Sequence, residues 1–156
     1  MKVFYEDRPE KVMYMPLPTG QADVWIREDI QQVTDEESTR WTADEVYFRT
    51  RQSLAEVTAN ADALFFQKSG IAEKLTAVVQ KHMDKTAQER NYDNIASACS
   101  YANSTDTTFR AEGLACVAWR DACWRKCYEI QAAVIAGTRS IPTAEELITE
   151  LPALVW

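Results

Sequence analysis

Three of the four cysteines of this 156-residue chain fall in the stretch CVAWRDACWRKCYEIQ, Cys116 to Gln131, and the fourth is Cys99. Thiolates ligate zinc and carry redox chemistry, so their spacing decides what they can do. Cys116 and Cys123 lie two helical turns apart, about 10.5 Å along the axis at ~1.5 Å per residue. That is too far to share a tetrahedral zinc, whose sulfur ligands sit about 2.3 Å from the metal. Cys123 and Cys127, one turn apart, can chelate together. A zinc site would then draw on Cys99 and the lone His82 from other helices. Dithiol redox sites place C-x-x-C at a helix N-terminus, where the dipole lowers a thiol pKa, whereas the spacing here is C-x-x-x-C inside a helix.

Packing accounts for the same residues more simply. Phe109, Cys116, Cys123 and Ile130 recur every seven residues, and Cys127 and Val134 fill adjoining positions on the same helical stripe. Free buried cysteine behaves as a small hydrophobe. With Gly113, Ala115 and Ala118 it lets a neighbouring helix approach closely, while Trp119, Trp124 and Tyr128 supply bulk. The expectation is four reduced thiols with no metal and no cofactor. A thiol or zinc protein using His82, Cys99, Cys123 and Cys127 is the alternative.

No catalytic residues are assigned. His82 sits at the edge of an apolar helical face with no second histidine to pair with, and there is no G-x-S-x-G elbow. Four glycines leave no phosphate-binding glycine motif. The acidic pairs Glu36–Glu37 and Glu145–Glu146 read as a solvated turn and the first turn of a helix.

The elements that must position these residues follow from pattern. Residues 1–69 carry strand signals in KVFY, KVMYM, ADVWIREDIQQV and DEVYFRT, with period-2 alternation at Val24, Ile26 and at Val46, Phe48. Thr42 and Glu45 also fit a capping box, but the β-branched and aromatic run after them favours a strand. A helix follows from Ser53, whose box partner is Glu56, with Leu54, Val57, Ala61, Leu64 and Phe65 on one face. It ends near Gly70, which marks the boundary to a helical region, residues 70–156. There the spacing predicts helices over about 71–90 (Ile71, Leu75, Val78, Val79, Met83) and 95–101, a long one from Thr108 to Gly137, and a last one capped by Thr143 and Glu146 and halted by Pro152. The fold class is α+β, mainly α: a small antiparallel N-terminal β region followed by a helical bundle.

Bulk composition narrows the partners. The net charge is −7, with acid leading base 12 to 7 over residues 1–60, balanced 9 to 9 over 61–136 and leading 3 to 1 thereafter. No basic stripe exists for phosphate contacts, so nucleic acid is not expected. No stretch is long and apolar enough for a membrane span, and the start MKVFYEDRPEKV has no signal-type apolar core, which points to cytoplasm or a particle assembled there. What stands out is five Trp, six Tyr and five Phe. Large aromatic side chains are enriched at interfaces, and Trp25, Trp41, Tyr47, Phe48 and Trp156 are the candidate partner-binding residues. Strand addition at an edge such as VYFRT, Val46 to Thr50, is one way to bind.

Residues 90–156 carry NYDNI with SACSYA, then F-x-A-E-G, W-R-D-A-x-W, P-T-A-E-E-L and a closing LP. In this order they resemble a C-terminal segment of small tail-region proteins of tailed bacteriophages, of the tail-fibre assembly or tail accessory type. The front, DVWIREDI and DEVYFRT, is similar to openings of other such proteins. The resemblance implies a non-catalytic role in the virion or its assembly, in the host cytoplasm or the virion tail. The partner would be a tail-fibre or other tail protein, or a second copy of the chain. A host-directed phage regulator that caps a basic bacterial protein is the competing reading.

Overall fold

The structure is a computed structural model and describes residues 1–34 and 38–156; Glu36 and Glu37 lie outside the described residues. The chain divides into two compact units, residues 1–71 with 134–140 and residues 72–133 with 141–156. The division thus falls just after Gly70, and the chain returns to the first unit at 134–140. No change of period announces that return. No helix of the described residues is long and apolar enough to cross a membrane.

The first unit is built on four antiparallel strands, β1 (Lys2–Tyr5), β2 (Val12–Pro16), β3 (Ala22–Thr34) and β4 (Thr39–Thr50), in the order β1-β4-β3-β2. Thr42 and Glu45 are strand residues, so the β-branched and aromatic run prevails over the capping-box pattern. β3 and β4 form a long hairpin, with a register shift between Glu28 and Gln31 where Asp29 takes a positive φ of 51°. This bulge lies where the apolar alternation of β3 gives way to an exposed polar run. Ala22, Val24 and Ile26 are fully buried on one face of the sheet, with Val46 beside them. β4 lies between β1 and β3, but β1 pairs only with Trp41–Asp44, so Val46–Thr50 has a strand partner on the β3 side alone, and the outer strands are β1 and β2.

After the sheet, Ser53 and Glu56 form the expected capping box. The single helix expected from Ser53 is instead two, α1 (Leu54–Ala59) and α2 (Ala61–Lys68), broken at Asn60. Asn60 leaves helical geometry at φ −116°, ψ 19°, and its side-chain amide donates to Glu56 O at 2.8 Å. Such local bonding is why Asn competes with helix interiors. Of the expected face Val57, Ala61 and Phe65 are buried; Ala63 and Phe66 join them after the break, and Leu54 is exposed. Lys11 ties this unit together by reaching Glu28 at 2.8 Å and Asp62 at 2.6 Å.

The second unit is helical, built from α3 (Ile71–Gln88) after its first residue, α4 (Ile95–Ser100) with a 3₁₀ turn at Tyr101–Asn103, α5 (Thr107–Ile135) up to Ala133, and α6 (Ala144–Glu150). Asn91, at φ 62°, ends α3, with Tyr92 N–H donating back to Ala87 O. Asn94 caps α4, while Asp84 of α3 accepts the Ile95 N–H at 3.0 Å. Asp106 accepts the N–H groups of Thr108 and Phe109 at the start of α5. Thr143 and Glu146 form the second capping box, with Glu145 and Glu146 in the first turn of α6. The core joins Val79, Met83 and Ala87 of α3 to Ile95, Ala98 and Cys99 of α4, Cys116, Trp119, Cys123 and Ile130 of α5, and Leu147 and Leu151.

Candidate functional site

Cross-strand register turns the alternation of the sheet into a surface. Trp25 stands opposite Tyr47, Asp23 opposite Arg49 and Arg27 opposite Glu45, while Met13 of β2 stands opposite Trp25 on its other side. All belong to the face opposite Val24 and Ile26. The Trp25 and Tyr47 rings lie 5.0 Å apart at 41°. Tyr47 is 53% exposed, with Met13 at 38% and Met15 at 48%. Flexible methionines beside rigid rings form a surface that adapts to apolar partner groups.

Its charges are already matched. The Tyr47 hydroxyl donates to Asp23 Oδ1 at 2.8 Å, and Arg49 donates through Nε at 2.7 Å and Nη2 at 3.2 Å. The Arg49 hydrogen bonds, then that of Tyr47, hold the Asp23 carboxyl below the usual carboxylate range. Further along, Arg27 is only 5% exposed. Its Nε donates to Glu45 Oε2 and to Tyr5 Oη, both at 2.8 Å, and its Nη1 donates to Glu10 O at 3.0 Å. The Tyr5 hydroxyl in turn donates to Glu45, and burial, followed by this bond, pushes its pKa up. A partner on this face meets aromatic rings and methionines with no unpaired charge among these groups to desolvate.

The five aromatic candidates separate. Trp25 and Tyr47 touch. Trp41 shares their face by alternation but lies about 20 Å from Tyr47 along β4 at ~3.3 Å per residue; it is half-buried, pairs with Tyr5 and has the Arg8 guanidinium 5.7 Å from its ring. Phe48 points to the opposite face with Val24, Lys68 Nζ standing 5.9 Å from its ring. Trp156 belongs to the second unit, stacked on Tyr92 at 6.3 Å under the Arg90 guanidinium. Met13, Met15 and the Arg27–Glu45 pair went unnoticed as site residues in the sequence. The alternation of VMYM was the only signal for the two methionines.

Along α5, Cys116, Cys123, Ile130 and Val134 of the expected stripe are buried, and Cys127 is half-buried. Phe109 departs from it: 49% exposed, its ring stands edge-on to Tyr101 at 5.7 Å. Gly113 allows the close approach expected of it, facing the backbone of Tyr101 and Ala102. His82 is half-buried, edge-on to Trp119 at 6.0 Å, and the Trp119 indole donates to Pro152 O at 2.6 Å. Among the described residues no three His, Cys, Asp or Glu side chains converge to hold a metal, so His82, Cys99, Cys123 and Cys127 form no such group.

All four thiols are free, and burial raises each pKa, that of Cys116 and of Cys123 to about 11. The folded state therefore favours the protonated thiols. Their contribution is complete below the unfolded value near 9.0 and is lost as pH rises toward about 11. Native protein at neutral pH should react with a thiol reagent far more slowly than denatured protein, and stability should fall through that alkaline window. Cys123→Ala should flatten the fall. A fast-reacting thiol at neutral pH, or stoichiometric zinc in freshly purified protein, would contradict this.

Comparisons of the chain with protein-family models, with curated proteins and with solved structures found no match.

Proposed function

We propose that the chain is a non-catalytic bacteriophage tail protein that assists tail-fibre assembly or serves as a small virion component through protein–protein contacts. The observation that carries the binding role is the outer face of the sheet. There Trp25, Tyr47, Met13 and Met15 lie together, and their charged neighbours Asp23, Arg49, Arg27 and Glu45 are mutually paired. The order of motifs over residues 90–156 supports the tail assignment, with a tail-fibre or other tail protein as partner. On this reading the helical unit is scaffold: its thiols are held protonated in a core and Trp156 is engaged by Tyr92 and Arg90.

Rigid aromatic anchors near the centre of an interface cost about 2 kcal/mol or more each on truncation, roughly 30-fold in affinity. Trp25→Ala and Tyr47→Ala should each weaken binding by that much, while Trp156→Ala leaves it unchanged. Co-expression with the fibre protein of the same particle, followed by affinity capture, tests the tail role. Retention in purified particles separates a virion component from an assembly factor. Failure to co-purify with any tail protein, and absence from particles, would remove the proposal.

A further inference from the structure

Every second residue of an antiparallel strand turns its N–H and C=O toward the same neighbour. The Arg27 N–H donates to Lys11 O at 2.8 Å, and the ladder continues through Met13–Trp25 and Met15–Asp23. Lys11, Met13 and Met15 therefore face β3 with their main-chain groups, and Val12, Tyr14 and Pro16 face away from the sheet. Among the described residues, no hydrogen bond takes up the N–H and C=O groups of Val12 and Tyr14.

Sheet edges are ordinarily guarded by lysine, proline or a bulge. Val12-Met13-Tyr14-Met15 has no charge and no bulge. Lys11 at its start is drawn away by Glu28 and Asp62, and Pro16 closes only the far end.

We infer that β2 pairs with β2 of a second copy of this chain, antiparallel about a two-fold axis at Met13. The strand is its own complement in that register. Val12 and Tyr14 of one copy meet Tyr14 and Val12 of the other, each pair exchanging both main-chain hydrogen bonds. Pro16, which has no N–H to give, meets Glu10, whose carbonyl already accepts Arg27 Nη1 at 3.0 Å. The missing donor thus faces an acceptor that is already satisfied. Met13 meets Met13 in the closer, non-hydrogen-bonded pairing, beside Trp25 of each copy. Met15 meets Lys11, so no like charges oppose. An unrelated strand has no reason to match the proline position in this way. The pairing rests on the sheet alone and stands whether or not the chain acts in a phage tail; it also joins two outer faces into one surface.

Sedimentation or light scattering of the full chain across micromolar concentrations should give a mass about twice 17.8 kDa. Met13→Lys, which sets like charges against each other across the axis, should give a monomer with unchanged circular dichroism and a thermal midpoint that no longer depends on concentration. Met13→Cys should link two copies under mild oxidation far faster than Met15→Cys, the native thiols being mostly buried. A wild-type monomer at every concentration, a Met13→Lys dimer, or equal cross-linking at positions 13 and 15 would each overturn the inference.

Discussion

Glu45→Ala is expected to be the most damaging single substitution in the N-terminal unit, costing about 3–5 kcal/mol. The side chains of Arg27 and Glu45 are 6% and 11% exposed, and the carboxylate is the counter-charge that the guanidinium Nε reaches at 2.8 Å. Removing it strands a buried cation with a phenol and one carbonyl as its remaining partners. The pair itself need not be a large net stabiliser, because burying both ions costs nearly what their attraction returns. That asymmetry separates this account from a simple loss of contact: Arg27→Met with Glu45→Leu should recover most of what Glu45→Ala loses. Chemical denaturation of the two singles and the double measures it. A mild Glu45→Ala, or a double variant as unstable as the sum of the singles, would show that the pair is not desolvated in the way described.

Gly113→Ala should destabilise the helical unit by about 1–3 kcal/mol or more, against the ordinary gain of about 1 kcal/mol for this change inside a helix. The reversal of sign is what makes it informative. A β-carbon at Gly113 would lie 2.3 Å from Ala102 N and 2.5 Å from Tyr101 C, both backbone atoms that no rotamer change can move. The 3₁₀ turn after α4 would have to withdraw from α5. With it would go the Tyr101 ring contacts to Tyr92 and Phe109. Thermal unfolding of Gly113→Ala beside an exposed control such as Ala132→Gly reads the effect. A Gly113 variant more stable than wild type would mean that the two backbones do not approach as closely as the structure has them.

Much of the fold could be read because local signals and tertiary packing agreed. Ser53–Glu56 and Thr143–Glu146 satisfy backbone donors whatever packs on the helix, so both capping boxes occur where their residue types announce them. The stripe through Cys116, Cys123 and Ile130 repeats at a helical period and lies against the core. Asn60 was harder to see. Its neighbours kept helical spacing, and the interruption comes from one side-chain amide bonding back to Glu56, a choice that periodicity does not register. Phe109 continued the heptad arithmetically, yet a stripe is buried only where another helix covers it.

The site was less legible for a related reason. Aromatic content names residues, whereas membership of one surface depends on pleat and register. Phe48 is next to Tyr47 in sequence and therefore on the opposite face of β4, and Trp156 is claimed by Tyr92 and Arg90 in the other unit. Met13 and Met15 join Trp25 only through the pairing of β2 with β3, sequence positions that no local pattern links. Strand order likewise puts β1 and β2 outermost, while Val46–Thr50, beyond the reach of β1, is paired on the β3 side alone.

The central claim, that this face is where the chain binds its partner, is tested most directly by titrating the proposed partner, a tail protein, against wild type and against Trp25→Ala/Tyr47→Ala, with circular dichroism confirming both folded. Loss of binding in the double variant, together with full binding by Trp156→Ala, is the predicted result. Wild-type affinity in the folded double variant, with binding lost in Trp156→Ala, would contradict it and assign the interface to the helical unit.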